Sequence, residues 1–403
     1  MTAAQQDDQP AAEQAVFPAA RRDHFAPPPA YRTSDAVRQM RLSYGGSAWL
    51  VTGHREAREV LADHESFSSD PSFEGFPAFP LTSKRYVPGH FLSMDPPEHG
   101  RLRRQVAAEF SGSNTRRLRP RIEAAARELV GRLAASERPA DLVDTVAVPL
   151  PAMSASELLG TPLDDRDFFL SCARDLQVHD ATVAQRVVAA GRMDRYLRQL
   201  VVRKREERSE DLLGRLARAV QEDVLVVDEV IGIANLIIVA GLETTAGLVA
   251  LTMLSLLVDA EQGDLVRADP TRWAGPAVNE ALRYWTLAQH GVARVATREV
   301  EVGGRTIRRG DAVVVHLATA NRDPAVYAEP DAFDLRRDPR GQLAFGHGVH
   351  RCLGSSIAQV QAEVAIQVLM EELPNLRLAC AVSELNFLDE MLIYGLRSLP
   401  VTW

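Results

Sequence analysis

The fold of this chain has to accommodate one long apolar run, VVDEVIGIANLIIVAGLETTAGLVALTMLSLLVD, which extends from Val226 to Asp259. A helix that is apolar all round either crosses a membrane or lies in the core of a large protein. Asn235 and the central Glu243 favour the core, because an acid at the middle of a bilayer costs about 3 kcal/mol. The run therefore predicts a long buried helix against which other elements pack.

The segments on either side of this run predict a mainly α fold with a small β region. From Asn114 onward, apolar residues recur with the period of a helix. From Gly291 the period changes to that of a strand, with a turn at Gly303-Gly304. A further hairpin is predicted from Val37 to Thr52, with its turn at Gly45-Gly46.

Residues 66–92 predict a long loop. The segment has prolines and glycines among aromatic side chains, so it is too irregular for a core element and too aromatic for a linker. Long loops in compact domains are usually functional, and we interpret this one as a mobile cover over an apolar pocket. Asp95, two prolines and Glu98 follow it, and they predict a helix start capped by Asp95.

Composition and charge restrict the class of protein. The chain has 403 residues, and a hydrophobic fraction of 46% is typical of a soluble globular protein. Its net charge of −8 argues against a general nucleic-acid binder, which needs a basic surface. Its three cysteines show no spacing pattern, which predicts a reduced compartment without disulfides. The start, MTAAQQDDQPAAEQ, does not resemble a secretory signal or membrane anchor. We expect a cytoplasmic protein with a flexible tail at residues 1–20 and a single domain over residues 21–403.

The chemistry of the chain is concentrated in FGHGVHRCLG, which contains Cys352. Two glycines discourage helix before this cysteine and a helical pattern begins just after it. Backbone N–H groups and the dipole at a helix N-terminus stabilise a thiolate, which can be a nucleophile or a metal ligand. A buried structural cysteine is the alternative, but glycines, a histidine and an arginine make a poor apolar pocket.

This stretch resembles the haem-binding signature of the cytochrome P-450 family, Phe-Gly-x-Gly-x-His-x-Cys-x-Gly-x-x-x-Ala. The matching residues are Phe345, Gly346, Gly348, His350, Cys352, Gly354 and Ala358. The resemblance implies the cytochrome P-450 fold, with haem b between the long central helix and the helix after Cys352. It implies that Cys352 binds the iron and that Phe345 and Gly346 contact the cofactor. It covers residues 30–403 and is closest to soluble actinomycete members.

The middle of the apolar run, AGLETT, is similar to the central-helix motif of the same family. Thr244 can bond back to the carbonyl of Ala240 and open the helix ladder locally, and the small Ala240 and Gly241 leave room for a diatomic ligand. Glu243 and Thr244 are the predicted catalytic pair, the first relaying protons and the second donating a hydrogen bond to bound oxygen. A buried acid paired with an arginine is the alternative for Glu243. Leu242 departs from the histidine that is common in close relatives.

The resemblance assigns four basic residues to the haem propionates, namely His99, Arg103, Arg294 and His350. His99 and Arg103 are four residues apart and share one helix face, and charge-assisted hydrogen bonds suit carboxylates. The alternatives are a solvated basic face for the first two and an exposed strand charge for Arg294. Gly100 replaces a threonine that is common in relatives and could loosen the first helical turn.

Glu280, Arg283 and Arg337 resemble the buried Glu-Arg-Arg group that lies behind the haem in this family. Their implied role is structural. An ion pair on a solvated helix is the alternative, because Glu-x-x-Arg alone is a weak motif.

The resemblance also implies a pocket for a hydrophobic small molecule, covered by the loop at 70–92 and the helices near 167–190. The predicted lining residues are Ile233, Ile237, Leu287, Ala288 and Ile393. The implied activity is that of a haem-thiolate monooxygenase that hydroxylates or epoxidises a natural product of secondary metabolism, such as a polyketide, macrolide or terpenoid in antibiotic biosynthesis. The alternatives are a haem-thiolate enzyme of oxidative coupling, ring formation or peroxygenation, and a non-catalytic haem sensor.

Electrons for this activity must come from another protein, because the chain has no flavin or iron–sulfur motif. The resemblance implies a ferredoxin and its reductase, with NAD(P)H used only through them. Arg101, Arg104 and Arg351 are predicted to form a basic patch for an acidic ferredoxin. We expect a monomer that binds neither nucleic acid nor membrane.

Overall fold

The long apolar run forms the central helix of the protein, from Val227 to Val258. The computed structural model describes residues 16–43, 45–77, 87–176, 182–389 and 391–403. By length and composition, this helix is the one in the described residues that could cross a membrane, but 67% of its most apolar window is buried inside the protein. This burial fits the core helix that the sequence predicts.

Twelve α-helices lie in the described residues: α1 (His54–Ala62), α2 (Glu98–Val106), α3 (Gly112–Ala135), α4 (Pro149–Leu159), α5 (Arg166–Leu176), α6 (Val183–Glu207), α7 (Leu212–Gln221), α8 (Val227–Val258), α9 (Ala260–Ala268), α10 (Pro270–Trp285), α11 (Leu317–Ala320) and α12 (Ser355–Glu372). The same residues contain eleven strands: β1 (Val16–Phe17), β2 (Val37–Leu42), β3 (Ser47–Val51), β4 (Phe67–Ser68), β5 (Ala140–Asp141), β6 (Val292–Ala296), β7 (Val300–Val302), β8 (Arg305–Ile307), β9 (Ala312–Val315), β10 (Arg377–Leu378) and β11 (Pro400–Thr402). The mainly α fold with a small β region is confirmed.

The largest sheet joins distant parts of the chain. Its strand order is β1-β2-β3-β9-β6-β4, so the predicted N-terminal hairpin β2–β3 continues into strands that follow α10. Strand β3 runs parallel to β9, with Trp49 opposite Val313, and β9 runs antiparallel to β6. This pairing carries Arg294 of β6 next to elements near the N-terminus.

Two kinds of core hold these elements together. The helical core contains buried apolar residues of α3, α4, α8, α10 and α12, and Trp285 of α10 donates to the Ser255 hydroxyl of α8 at 2.9 Å inside it. A separate core, with Val51, Phe67 and Val313, packs the sheet against α1. The site described below lies where α8, α12 and this sheet approach one another.

Two local predictions are wrong. Residues 16–20 belong to the predicted tail, yet Val16 and Phe17 pair with β2 and Phe17 is buried. Joining the sheet removes the apolar surface of Phe17 from water. The folded domain therefore includes residues before residue 21. Asp95 does not cap α2, because its carboxylate accepts hydrogen bonds from the Ser69 N–H at 2.8 Å and from the Ser68 hydroxyl.

The loop at 66–92 is only partly described. Residues 78–86 of the predicted cover lie outside the described residues, as do residues 177–181 of the predicted pocket helices near 167–190. Of the described part, Gly89 lies against α8, where a Cβ would come 2.1 Å from the carbonyl oxygen of Glu229. One end of this loop therefore packs directly on the central helix.

Candidate active site

The loop that carries Cys352 depends on two glycines with positive φ. Gly346 and Gly348 have φ values of 68° and 73°, which residues with a Cβ avoid. A Cβ at Gly348 would also lie 2.2 Å from the carbonyl oxygen of Leu61, so α1 packs directly on the loop backbone. The Cys352 N–H donates to the Phe345 carbonyl at 2.8 Å and closes the loop.

The Cys352 side chain faces a cavity of about 580 Å³. The thiol is exposed to this cavity and surrounded by protein on its other sides, and this burial raises its pKa. Backbone N–H groups of Gly354 and Ser355, at the start of α12, act in the opposite direction, together with the charges of Arg103 and Arg351. A cation on the cavity side would complete the stabilisation of a thiolate.

Basic side chains gather beside the same cavity. Arg103, Arg294 and His350 line it, and the ring centroids of His99 and His350 are 4.2 Å apart. The Nε2 atom of each imidazole is buried without a hydrogen-bond partner. Because buried polar atoms nearly always have partners, two orphaned atoms side by side indicate that a polar ligand belongs here.

The electrostatics of the cluster indicate that this ligand is an anion. Burial and then Arg103 lower the pKa of His99 to about 4. Burial lowers the pKa of Arg294 to about 10, and burial, Arg294 and His99 lower the pKa of His350 to about 2. Asp95 opposes the shifts of His99 and Arg294, but serine residues already hydrogen-bond its carboxylate. A ligand with carboxylates therefore fits this position.

The middle of α8 forms another wall of the cavity. Ala240, Gly241 and Thr244 line it, and the Thr244 hydroxyl donates to the Ala240 carbonyl at 2.7 Å, as predicted. The helix continues without interruption through this turn. A Cβ at Gly241 would have no atom within 4 Å, which agrees with a face that is open to the cavity.

Glu243 and Leu242 occupy different faces of α8. Leu242 is only 1% exposed and belongs to the helical core, so this departure from close relatives fills a packing position. Glu243 is half-buried and does not line the cavity. Burial raises the pKa of Glu243, and Arg186 of α6 opposes that shift.

The three residues predicted to form a structural group are close together. Arg283 makes two hydrogen bonds to the Glu280 carboxylate, at 2.9 and 2.6 Å, and Arg337 makes one at 3.1 Å. Arg283 also donates to the carbonyls of Asn321 and Pro330. The group ties α10 to the chain segment that leads to the Cys352 loop.

The predicted pocket residues divide into two sets. Ile237, Leu287 and Ala288 line the cavity, whereas Ile233 and Ile393 do not. Ile233 is fully buried, because the loop at Gly89 packs over this part of α8. Ile393 pairs through its backbone with Ala288, which lines the cavity.

Sequence reasoning missed several cavity residues. Val292 lies two residues before Arg294 on β6, and both line the cavity; their alternation in a strand was the available signal. Leu317, which follows β9, also lines the cavity, and no local pattern marks it. Contacts of this kind depend on which strands pair.

The predicted basic patch needs a correction. Arg101 is paired with Glu98 and with Glu229 of α8, and it also donates to the Val224 carbonyl. Its charge is therefore neutralised by these two carboxylates. Arg104 and Arg351 are exposed.

A thiol at a helix start, an apolar cavity and an unsatisfied basic cluster together define a haem-thiolate protein. The orphaned imidazole nitrogens and the buried Arg294 fit the propionates of haem, and the exposed thiol of Cys352 fits its iron. The sequence model of the cytochrome P-450 family matches residues 276–376.

Known proteins extend this match over nearly the whole chain. The chain is 39% identical to pentalenic acid synthase of Streptomyces avermitilis over 400 residues, which cover 96% of this chain and 97% of the relative. It is 39% identical to the cytochrome P-450 monooxygenase PikC of Streptomyces venezuelae over 376 residues, 92% and 89% of the two chains. The crystal structure of cytochrome P-450 MoxA from Nonomuraea recticatena superposes with a TM-score of 0.91 at 38% identity and covers 96% of this chain and 98% of its own.

The chain belongs to the cytochrome P-450 family. It is a haem-containing monooxygenase of the bacterial type, as its relatives over nearly the full length indicate.

Proposed function

We propose that this enzyme hydroxylates or epoxidises a hydrophobic natural product of secondary metabolism, with electrons from a ferredoxin. The observation that carries the proposal is an apolar part of the cavity wall, formed by Ile237, Leu287, Ala288 and Val292 beside Thr244. Such a surface binds an apolar ligand by removing its area from water. The name of pentalenic acid synthase supports the substrate class, and that of the monooxygenase PikC supports the insertion of oxygen.

We assign the cofactor contacts to the residues that meet at the cavity. Haem bound there supplies the oxygen chemistry, and electron donation from a Cys352 thiolate favours O–O cleavage. His99, Arg103, Arg294 and His350 hold the propionates, which supply the partners that the imidazole Nε2 atoms lack. The remaining contacts to the cofactor are Phe345, Gly346, Ala240 and Gly241. The chain segment that leads to the Cys352 loop is held in place by Glu280, Arg283 and Arg337.

Glu243 and Thr244 are the proposed proton-handling residues. The Thr244 hydroxyl lies at the cavity wall and donates to the Ala240 carbonyl, so it must rotate away from that carbonyl to donate a hydrogen bond to a ligand in the cavity. The raised pKa of Glu243 keeps a larger fraction of this acid protonated near neutral pH. Because Glu243 does not line the cavity, its proton must pass through water or through Thr244.

The matched pair Thr244→Val and Thr252→Val tests this assignment. Both threonines bond back to a carbonyl four residues earlier on α8, but Thr252 is fully buried away from the cavity. We expect Thr244→Val to lower product formed per NAD(P)H, because a positioned proton-transfer group contributes roughly 10²–10⁴-fold to a rate, and we expect Thr252→Val to leave that ratio unchanged. Equal ratios in the two variants would contradict the role of Thr244.

The substrate class is tested by screening hydrophobic natural products for a change in the spin state of the haem when they bind to the haem-loaded protein. Compounds that bind should then be turned over with a ferredoxin and its reductase, and the products weighed. A gain of one oxygen atom supports hydroxylation or epoxidation. Loss of two hydrogens or joining of two molecules would instead support ring formation or coupling, and turnover with peroxide alone would support a peroxygenase.

The ferredoxin is proposed to dock near the Cys352 loop, where Arg104 and Arg351 are exposed. Their reversal to glutamate should raise the ferredoxin concentration needed for half-maximal turnover several-fold and leave ligand binding unchanged, because rim charges mainly steer association. Arg205→Glu, at the exposed end of α6, is the matched control. An equal effect of all three reversals would contradict docking at this face.

We also propose that the enzyme is a cytoplasmic monomer with a single domain up to residue 403. The burial of α8 supports a protein that does not span a membrane, because the most apolar run of the described residues lies in the core. Sedimentation of the haem-loaded protein without detergent tests whether it is a monomer in solution.

A further inference from the structure

The cavity beside Cys352 continues past the start of α12 and reaches the protein surface. Its lining includes Ile357 of α12, the facing residues Ile122 of α3 and Met153 of α4, and also Arg121 and Glu157 of the same two helices. The side chains of Arg121 and Glu157 are 63% and 40% exposed, whereas Ile122 and Met153 are buried. The same cavity is thus lined by residues of the haem site and by exposed residues of α3 and α4, and the activity proposed above assigns no role to the latter.

Two ion pairs lie among the exposed residues of the cavity lining. Arg121 of α3 pairs with Glu157 of α4, and Arg166 of α5 lies 3.9 Å from Glu128 of α3. Each pair joins two different helices across the opening. Exposed pairs of this kind contribute only about 0–1 kcal/mol, so they can open and close readily without unfolding a helix.

A polar group on the cavity wall has no partner. Gln361 of α12 lines the cavity and is 6% exposed, and its side-chain Oε1 is buried without a hydrogen bond. An unsatisfied buried acceptor costs about 1–3 kcal/mol, and buried water is the usual way in which such groups are satisfied. The remaining wall is rich in small residues, such as Ala124, Ala125 and Ser154, which leave room for water.

We propose that the passage between α3 and α4 is a side channel that carries water and small neutral solutes between solvent and the haem cavity, with the Arg121–Glu157 pair as its gate. Its apolar walls disfavour ions, because a charge loses hydration there. The unpartnered Oε1 of Gln361 can accept a hydrogen bond from water inside the channel. The channel gives water an exit when an apolar substrate fills the cavity.

A cysteine placed in the channel of the haem-loaded enzyme tests this proposal. Met153→Cys lines the channel, and Ala152→Cys is its matched control, since Ala152 is an equally buried neighbour on α4 that does not line it. The background carries Cys380→Ser, and Cys172 is fully buried. With methyl methanethiosulfonate, a small neutral reagent, Met153→Cys should react at least about tenfold faster than Ala152→Cys, which reacts only through local unfolding.

The gate is tested by adding Arg121→Gln to both cysteine variants. We expect a several-fold faster reaction of Met153→Cys and no change for Ala152→Cys. Arg127→Gln is the control, because Arg127 also lies on α3 and pairs with another helix, at Glu371 and Glu372, away from the channel. If Met153→Cys does not load haem, Ser154→Cys on the same wall replaces it. Equal rates for the channel and control cysteines would overturn the channel, and an Arg121→Gln rate equal to that of Arg127→Gln would overturn the gate.

Discussion

The two sides of the haem cavity are built by different means. On the Cys352 side, glycines with positive φ, closed backbone hydrogen bonds and the buried Glu280 group fix each position. On the side of α8, the wall is made of apolar side chains from α8, the segment after α10 and β6. The first side specifies one cofactor through particular atoms, whereas the second specifies a ligand through shape and area.

This difference indicates how each side responds to substitution. On the cofactor side, a substitution that adds or removes even one group should have a large effect, because close backbone contacts and buried charges cannot adjust to it. On the substrate side, volume-conserving changes are tolerated and alter affinity by small amounts. The predictions below test that contrast, from the largest effect to the smallest.

The largest effect is expected for Arg283→Ala. It leaves the buried Glu280 carboxylate with Arg337 and the Asp334 N–H as its remaining partners and removes donors from backbone carbonyls, and breaking a buried pair costs about 3–5 kcal/mol. Arg267→Ala breaks an exposed pair of the same spacing, with Asp264, and should cost less than about 1 kcal/mol. Denaturant unfolding measures both variants. Similar losses would mean that the group is not a structural anchor.

Gly348→Ala should prevent stable haem binding. The added Cβ would lie 2.2 Å from the Leu61 carbonyl oxygen at a φ of 73°, so the loop or α1 must move. Gly304→Ala has almost the same φ, 72°, but no atom within 4 Å of its Cβ, and should cost about 1 kcal/mol in stability alone. Haem content after purification measures the contrast, and full loading of Gly348→Ala would contradict it.

The stability of the haem-free protein should depend on the protonation of His99. The folded state keeps this imidazole neutral down to a pKa of about 4, whereas the unfolded chain binds the proton near pH 6.5. The neutral His99 therefore stabilises the fold fully above pH 6.5, and this contribution falls as pH decreases toward 4, at about 1.4 kcal/mol per pH unit. The difference in the free energy of unfolding between pH 5 and pH 7 should be smaller for His99→Gln than for the wild-type protein. An unchanged difference would contradict the burial of a neutral ring.

The smallest effects are expected for Ile237→Val and Ile233→Val on α8. Ile237 lines the cavity, so its shortening should change the affinity of an apolar ligand by a few-fold with little change in stability. Ile233 is fully buried outside the cavity, so its shortening should cost about 0.5–1.5 kcal/mol of stability and leave ligand affinity unchanged. Spin-state titrations and unfolding curves separate the two, and the reverse pattern would contradict the assigned lining.

The same contrast explains what the sequence could predict. Cys352, the glycines of its loop and the helical and strand periods are local features: Cys352 lies at the cavity, Gly346 and Gly348 have positive φ, and helices and strands form where the periods predict them. Phe17 and Asp95 were misread because their partners, β2 and the serines at 68 and 69, lie elsewhere in the chain. Arg101 was misread for the same reason, since its partner Glu229 lies in the first turn of α8. Pocket residues such as Leu317 depend on strand pairing, which no local pattern encodes.

The assignment of Cys352 as the thiolate ligand is tested most directly by the absorption of the reduced, carbon-monoxide-bound protein. The wild-type protein should show the strongly red-shifted band of a haem-thiolate, and Cys352→Ser, loaded with haem to the same extent, should lose it. A Cys352→Ser protein that keeps the red-shifted band would contradict the account.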